Sequence, residues 1–222
     1  LFQLFVEMRD NPELLAAADK LLFIPDLLNY FLTGVKQTEY TIASTGQLLD
    51  AKTRDWSKTL FDKFGIPSRL FTDIKMPGSI VGPLLPSLKE ELGDINANVI
   101  NVAAHDTASA VVAVPAKGED FVYISSGTWS LMGTETMSPI ITDKSFGYNF
   151  TNEGGFGGSI RFLKNIMGLW IEQESRRQWK REGKAFSFDE LSNAAMASKP
   201  CQCIINPDDP AFGVPGNLPK AI

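Results

Sequence analysis

The chain has 222 residues, of which 44% are hydrophobic and 21% are charged, and its formal net charge is −5. This length and apolar content suit one large or two small hydrophobic cores, and the acidic balance argues against nucleic acid as a main partner. The sequence contains no run of 18 consecutive apolar residues, so it predicts no membrane span and no membrane partner.

Two cysteines, Cys201 and Cys203, are separated by one residue on an apolar run. If residues 201–206 form a strand, as we predict, the two thiols share a face but are too close in sequence to bridge easily. Further metal ligands are absent nearby, so we interpret them as half-buried thiols in a reducing cytoplasm. The chain does not begin with Met, so we do not expect Leu1 to be its natural start.

The first part of the chain is expected to be mainly helical, because its apolar residues recur at helical spacing. Proline at a first helical position and glycine after a last turn mark the expected helix boundaries. We expect Trp56 to belong to the core rather than to a ligand site. The predicted helices cover residues 1–22 with a break at Pro12, 26–32 ending at Gly34, 55–64 ending at Gly65, and 84–92.

A mostly apolar run, Val99–Ala104, stops at the polar triplet His105-Asp106-Thr107. Such a run predicts a buried strand, and the triplet would then open a helix that closes at Pro115. Because open α/β sheets bind ligands at the carboxyl ends of their strands, Asp106 is a candidate base beside the only histidine of the chain. An N-cap for the helix is the alternative, and the local pattern leaves both interpretations open.

Residues 122–131 alternate between apolar and smaller or polar side chains, which predicts a strand, a turn and a second strand. The turn Ser125-Ser126-Gly127-Thr128 supplies hydroxyls, a glycine and backbone N–H groups of the kind that cradle a phosphate. An ordinary hairpin turn of Ser, Gly and Thr is the alternative. A carboxylate loop followed by such a turn is more informative than either motif alone.

Residues 159–181 are predicted to form the longest helix, in which Asn165, Leu169 and Gln173 lie along one ridge. From the pattern alone, Asn165 and Gln173 are more often ordinary exposed residues than ligand contacts. The basic residues at the end of this helix favour a solvated helix terminus over a binding patch. A capping box, Ser187-Phe188-Asp189-Glu190, predicts a further helix that runs through Ala197.

The short polar connection 115–120 contains both Pro and Gly and is the predicted domain boundary. The domains would then be 1–115 and 116–222. The glycine-rich segment 151–158 does not follow a clear strand of a βαβ unit, which argues against a dinucleotide site.

Three motifs carry a family resemblance: His105-Asp106-Thr107-Ala108-Ser109-Ala110, Ser125-Ser126-Gly127-Thr128-Trp129-Ser130, and Lys164-Asn165-Ile166-Met167-Gly168-Leu169-Trp170. With these motifs the chain resembles the central part of the FGGY carbohydrate kinases, from about residue 23 to residue 207. The resemblance implies an α/β fold of the actin-like ATPase (ribonuclease-H-like) type, with parts of two domains flanking a cleft. Residues 1–115 would finish the N-terminal domain, and 116–222 would begin the C-terminal one.

The resemblance also implies the chemistry. Asp106 would be the catalytic base, and His105, Asp106, Thr107 and Asn165 would bind the sugar. Thr128 and Gln173 would contact the nucleotide. The implied reaction transfers phosphate from ATP, with Mg²⁺, to L-rhamnulose and yields its 1-phosphate; no metal ligands are assigned.

The chain departs from the family pattern at both ends. We find neither the N-terminal phosphate-binding hairpin nor the C-terminal adenosine motif, so we expect the 222 residues alone not to turn over. Three alternatives stay open: a kinase for another ketose such as fuculose or xylulose, a nucleotide-binding module that senses or hydrolyses ATP without sugar, and a structural fragment.

Overall fold

Proline and glycine set the ends of the first helices in the computed structural model, which describes residues 1–118 and 120–222. Helix α1 (Phe2–Asp10) ends at Asn11, and α2 (Pro12–Ala17) begins with proline in its first turn. Helix α3 (Ile24–Thr33) ends at Gly34, whose φ of 75° is readily available to glycine. The break at Pro12 and the stop at Gly34 are therefore confirmed, whereas residues 18–22, predicted as part of the first helical run, are not helical.

The described residues divide into two compact units. The first comprises 1–121 and 134–163, and the second comprises 122–133 and 164–222. The connection 115–120, which we predict as the domain boundary, includes Glu119, and Glu119 lies outside the described residues. The division into domains 1–115 and 116–222 stays a prediction about the whole protein.

The first unit combines short strands with helices. Its further elements are β1 (Thr38–Glu39), α4 (Tyr40–Ser44), β2 (Leu49–Asp50), β3 (Asp55–Trp56), α5 (Lys58–Phe64), β4 (Ile74–Lys75), β5 (Ile80–Pro83), α6 (Pro86–Glu91), β6 (Asn98–Ile100), α7 (Asp106–Val112), α8 (Asp143–Gly147) and β9 (Phe150–Gly154). Strands β1 and β4 pair in parallel, whereas β2–β3 and β5–β6 pair antiparallel.

An aromatic cluster anchors the core of this unit. The ring centroid of Trp56 lies 4.6 Å from that of Phe71, and Phe71 is also 4.6 Å from Phe61. The indole Nε1 of Trp56 donates to the backbone carbonyl of Thr72 at 2.7 Å, so its polar atom is satisfied. The prediction that Trp56 is a core residue is confirmed.

The predicted buried strand at 99–104 is wrong in extent. Strand β6 spans only Asn98–Ile100, pairs antiparallel with β5, and leaves Ile100 exposed. Beyond Ile100 the chain continues without strand pairing, and the Ala104 N–H donates to a side chain, the Glu39 carboxylate. Asn101 and Ala103 are buried there, whereas Val102 between them is exposed, so only alternate residues of the run pack inward.

The second unit contains the predicted hairpin, which is confirmed. Strand β7 (Tyr123–Ser126) pairs antiparallel with β8 (Trp129–Thr136), from Tyr123 opposite Gly133 to Ser126 opposite Ser130. With β10 (Ile160–Met167), the sheet order is β7-β8-β10-β9, and β8 and β10 each run from one unit into the other.

The predicted helix over 159–181 is wrong in its first half. Residues 160–167 form β10, Gly168 follows, and helix α9 covers Trp170–Arg181. Asn165, on a strand, and Gln173, on a helix, therefore do not share one helical ridge. Ile160 and Phe162 are β-branched and aromatic residues, which favour a strand.

The remaining helices are α10 (Phe188–Ala197) and α11 (Leu218–Ala221). The predicted capping box is present, with the Ser187 hydroxyl accepting from Glu190 N–H and the Glu190 carboxylate accepting from Ser187 N–H. The predicted strand at 201–206 is wrong, because Cys201 has a φ of 55° that a strand does not allow. Cys201 and Cys203 are both exposed rather than half-buried.

No helix among the described residues is long and apolar enough to cross a lipid bilayer.

Candidate active site

Helix α7 presents Asp106 to solvent at its first position. His105 is the N-cap residue and makes no side-chain capping bond, so Asp106 is not the cap itself. The Asp106 side chain is 95% exposed, and its Oδ1 accepts from the N–H of Thr107 at 2.6 Å and from the Thr107 hydroxyl at 3.3 Å. Oδ1 is thereby held in place while the outer face of the carboxylate stays open to a ligand.

A buried carboxylate, Glu39, fixes the loop that leads into Asp106. Its two oxygens accept from Thr41 N–H at 2.8 Å, the Thr41 hydroxyl at 2.6 Å, Ile42 N–H at 3.1 Å and Ala104 N–H at 3.1 Å. The N–H of His105 then donates to the same Thr41 hydroxyl oxygen at 3.1 Å. Four donors satisfy a buried charge that would otherwise be costly, and they join the loop to helix α4.

The imidazole of His105 lies between charged groups. Its Nδ1 is 2.6 Å from Nη2 of Arg161 and 3.5 Å from Oε2 of Glu153, and its Nε2 is 3.5 Å from Oδ1 of Asp106. Burial and the Arg161 cation lower the pKa of His105 below its usual range, against the opposing pull of the nearby carboxylates. The side chain is 19% exposed, so a ligand can still reach it.

Arg161 on β10 is a site residue that sequence reasoning missed. Its side chain is completely buried, with Nε donating to the Gly154 carbonyl at 3.1 Å and Nη2 to Glu153 Oε2 at 2.9 Å. Ile160, next to Arg161, is buried as well, so the burial around Arg161 does not alternate and the local sequence carries no signal for a buried charge.

The hairpin turn at Gly127-Thr128 carries the candidate phosphate contact in the second unit. Thr128 is exposed, but the N–H of Gly127 already donates to the Trp129 carbonyl at 2.8 Å and is not available to a ligand. The Gly127 and Thr128 carbonyls accept from Leu169 and Trp170 N–H at 2.9 and 3.1 Å. The backbone at the start of helix α9 is thus hydrogen-bonded to the turn and fixes its position.

The other two predicted contacts also lie in the second unit. Asn165 is exposed on β10, and Gln173 is half-buried on α9. Gln173 lines an open groove of about 460 Å³ together with basic side chains of α9 and two phenylalanines. These residues are Arg176, Arg177, Lys180, Phe186 and Phe188.

The structure therefore brings His105, Asp106 and Thr107 together in the first unit. Thr128, Asn165 and Gln173 belong to the second. Within the described ranges, no group of three or more His, Cys, Asp or Glu side chains is arranged to hold a metal ion.

Comparison with known families places the chain in a class. Residues 8–113 match the N-terminal domain of the FGGY family of carbohydrate kinases, and residues 122–222 match its C-terminal domain. The chain belongs to this family.

Two relatives support this membership along the whole chain. A rhamnulokinase from Oceanobacillus iheyensis is 48% identical over 223 residues, and one from Bacteroides thetaiotaomicron is 46% identical over 222 residues. All of this chain is covered in both comparisons, but only 46% and 45% of the relatives is covered. The chain thus spans a little less than half the length of the curated relatives it matches.

Solved structures show the same fold at low sequence identity. A ligand-bound xylulose kinase from Lactobacillus acidophilus matches with a TM-score of 0.73 and 18% identity, over 89% of this chain and 39% of that one. The chain has the mixed α/β, actin-like ATPase fold of these sugar kinases, and the expected fold class is confirmed.

Proposed function

We propose that the protein containing this chain is an ATP-dependent sugar kinase that converts L-rhamnulose to L-rhamnulose 1-phosphate. Membership of the FGGY family supports the reaction class, and the rhamnulokinases at 46–48% identity support the sugar. The observation that carries the proposal is the Asp106 carboxylate, which is exposed at the start of α7 while its Oδ1 is fixed by Thr107.

Asp106 is the proposed general base. Phosphoryl transfer to an alcohol needs a group that accepts the hydroxyl proton as the oxygen attacks the γ-phosphorus in line. With Oδ1 engaged by Thr107, the other carboxylate oxygen is the one we assign to the sugar hydroxyl. His105 and Thr107 would orient the sugar, and Asn165 is a further proposed sugar contact.

Thr128 and Gln173 are the proposed nucleotide contacts. The Thr128 hydroxyl is exposed on a turn that is held by two backbone hydrogen bonds, so it offers a pre-organised donor to a phosphate oxygen. Mg²⁺ would arrive as part of the ATP substrate, because this ion keeps several waters and binds mainly through substrate phosphates. We place the reaction in the cytoplasm, and nucleic acid and membranes have no part in it.

The test of the base is Asp106→Asn in the full-length protein. Loss of a general base lowers kcat by roughly 10²–10⁴-fold, and binding of ATP should be retained. Asp143→Asn is the matched control, because Asp143 is also an exposed carboxylate in the first turn of a helix in the same unit, α8. Near-normal turnover of D106N would refute the base assignment.

A second candidate substrate is xylulose, because the xylulose kinase neighbour shares the fold. A panel of L-rhamnulose, L-fuculose and D-xylulose, compared by kcat/KM, separates the candidates. We expect L-rhamnulose to be preferred. ATP consumption that no sugar stimulates would instead support a nucleotide-sensing module.

A further inference from the structure

The contact between Arg161 and His105 constrains where the imidazole proton resides. Arginine carries only donor groups and stays protonated in proteins. The 2.6 Å approach of Arg161 Nη2 to His105 Nδ1 is therefore a hydrogen bond in which Nδ1 accepts. An imidazole whose Nδ1 accepts carries its proton on Nε2.

We propose that Arg161 is a positioning residue that holds His105 in the neutral form with the proton on Nε2. The Nε2–H then lies on the side of the ring that faces Asp106, whose Oδ1 is 3.5 Å away. The completely buried position of Arg161 and its bond to the Gly154 carbonyl keep the guanidinium from turning away.

Glu153 completes this arrangement. Its Oε2 is 2.9 Å from Arg161 Nη2 and 3.5 Å from His105 Nδ1, so it neutralises the buried cation and also faces the imidazole. Without Arg161, the Glu153 carboxylate would attract a proton to Nδ1. Without Glu153, the buried Arg161 would repel the imidazolium more strongly.

The charged groups around the imidazole come from four elements. Arg161 is on β10, Glu153 on β9, Asp106 on α7 and Glu39 on β1. Burial and Arg161 lower the pKa of His105, whereas Glu153, Asp106 and Glu39 raise it, and the net shift is downward. The direction agrees with an imidazole that stays neutral near pH 7.

The consequence for catalysis, which rests on the proposed kinase function, is that His105 donates a hydrogen bond while Asp106 accepts the proton. His105 offers a neutral Nε2–H donor to a sugar oxygen or to Asp106. Its other nitrogen is occupied by Arg161, so His105 does not compete with Asp106 as a base. The state of the imidazole itself needs neither sugar nor nucleotide.

His105 is the only histidine among the 222 residues, which makes a direct measurement possible. In the chain labelled with ¹⁵N-histidine, long-range ¹H–¹⁵N correlation spectra report the tautomer and titration of this one ring. We expect the Nε2–H tautomer at pH 7 and a midpoint below the ordinary value of about 6.5.

Variants on both sides of the ring test the cause. Arg161→Met should raise the midpoint and populate the Nδ1–H tautomer, and Arg161→Lys, which keeps the cation, should leave the midpoint below that of R161M. Glu153→Gln should lower the midpoint further and keep the tautomer. Arg9→Met is the control, since Arg9 is exposed and pairs with the adjacent Asp10, and it should change neither quantity.

A wild-type ring that is mainly Nδ1–H, or that titrates at or above 6.5, overturns the proposal. So does an E153Q midpoint that rises, and this readout stands even if R161M does not fold. Because no substrate is present, these results are independent of the D106N assay, and either proposal can fail while the other holds.

Discussion

At the scale of single residues, the buried carboxyl of Asp26 makes the stability of the first unit depend on pH. Its Oδ1 accepts from Glu39 N–H at 2.9 Å, while Oδ2 is buried without a hydrogen-bond partner among the described residues. Burial raises the pKa of Asp26 to about 7, and the nearby Glu39 charge adds to the rise.

The folded state thus holds a proton on Asp26 between about pH 4 and pH 7 that the unfolded chain releases. Because folding takes up a proton in this window, a lower proton concentration disfavours the folded state. The free energy of unfolding is therefore highest at the acid end of the window and falls as pH rises through it. A rise of the Asp26 pKa from its ordinary value to about 7 corresponds to a fall of ~4 kcal/mol in the free energy of unfolding.

We predict that Asp26→Asn removes most of this fall, because the amide cannot ionise but can still accept from Glu39 N–H. Urea unfolding from pH 4.5 to pH 8 measures it. Asp73→Asn is the control, since the Asp73 side chain is 92% exposed, and it should retain the wild-type slope. An unchanged slope in D26N would show that Asp26 is already ionised in the folded state.

The sequence made Asp106 a candidate because its pattern is local: an apolar run, a polar triplet and a helix within a dozen residues, to which the family resemblance adds the role of base. Glu39 and Arg161 carry no such signal, since their partners Ala104 and His105 are 65 and 56 positions away along the chain. A buried charge is recognised only once the fold has brought its donors or acceptors together.

Among the helices and strands, the predicted helix ends were right where a residue with a strong helix-start or helix-stop preference marks the boundary. Pro12, Gly34 and the Ser187 capping box each fix a backbone conformation by their own covalent or hydrogen-bonding properties. The failure at 159–181 arose because apolar residues at helical spacing continue across Gly168, although the chain changes there from strand to helix. β10 is a strand because it pairs with β8 and β9 in the sheet. The spacing of apolar residues along the chain gives no information about that pairing.

Gly168, which lies between strand β10 and helix α9, is a position that we expect to be intolerant of substitution. A Cβ at this position would lie 2.4 Å from Ser130 Oγ, 2.7 Å from the Gly127 carbonyl oxygen and 2.8 Å from Ser130 N. Two of these neighbours are backbone atoms, so a methyl group has to displace the turn that carries Thr128.

We therefore predict that Gly168→Ala destabilises the second unit by about 1–3 kcal/mol, as overpacking does elsewhere. Urea unfolding monitored by tryptophan fluorescence measures the loss. Gly216→Ala is a matched control in the same unit, because a methyl group added there would have no described atom within 4 Å. Equal stability of G168A and G216A would contradict the crowding argument.

For the whole molecule, the family resemblance predicted the fold better than the periodicity of apolar residues did. Two contiguous matches, 8–113 and 122–222, follow the two domains of the FGGY family, and the fold follows from them. The compact units of the structure nevertheless place 134–163 with the first half of the chain, because β9 and the first half of β10 pack there. The order of residues along the chain does not predict that 134–163 pack with the first half of the chain.

We predict that the 222-residue chain does not phosphorylate L-rhamnulose by itself, because it spans less than half the length of its rhamnulokinase relatives. A coupled assay for ADP release with Mg-ATP and L-rhamnulose measures this, with the full-length protein as the positive control. Sugar-dependent ADP release by the 222 residues would refute the prediction.

The exposed turn at Cys201 and Cys203 has a practical consequence. Both thiols of the chain lie in the second unit, whereas Trp56 is the only one of the four tryptophans in the first. A maleimide dye on Cys201 or Cys203 and the intrinsic emission of Trp56, in a chain whose other indoles are replaced by phenylalanine, would give each half its own optical reporter. Two separate melting curves from one sample would then reveal whether the halves lose their structure together or one after the other.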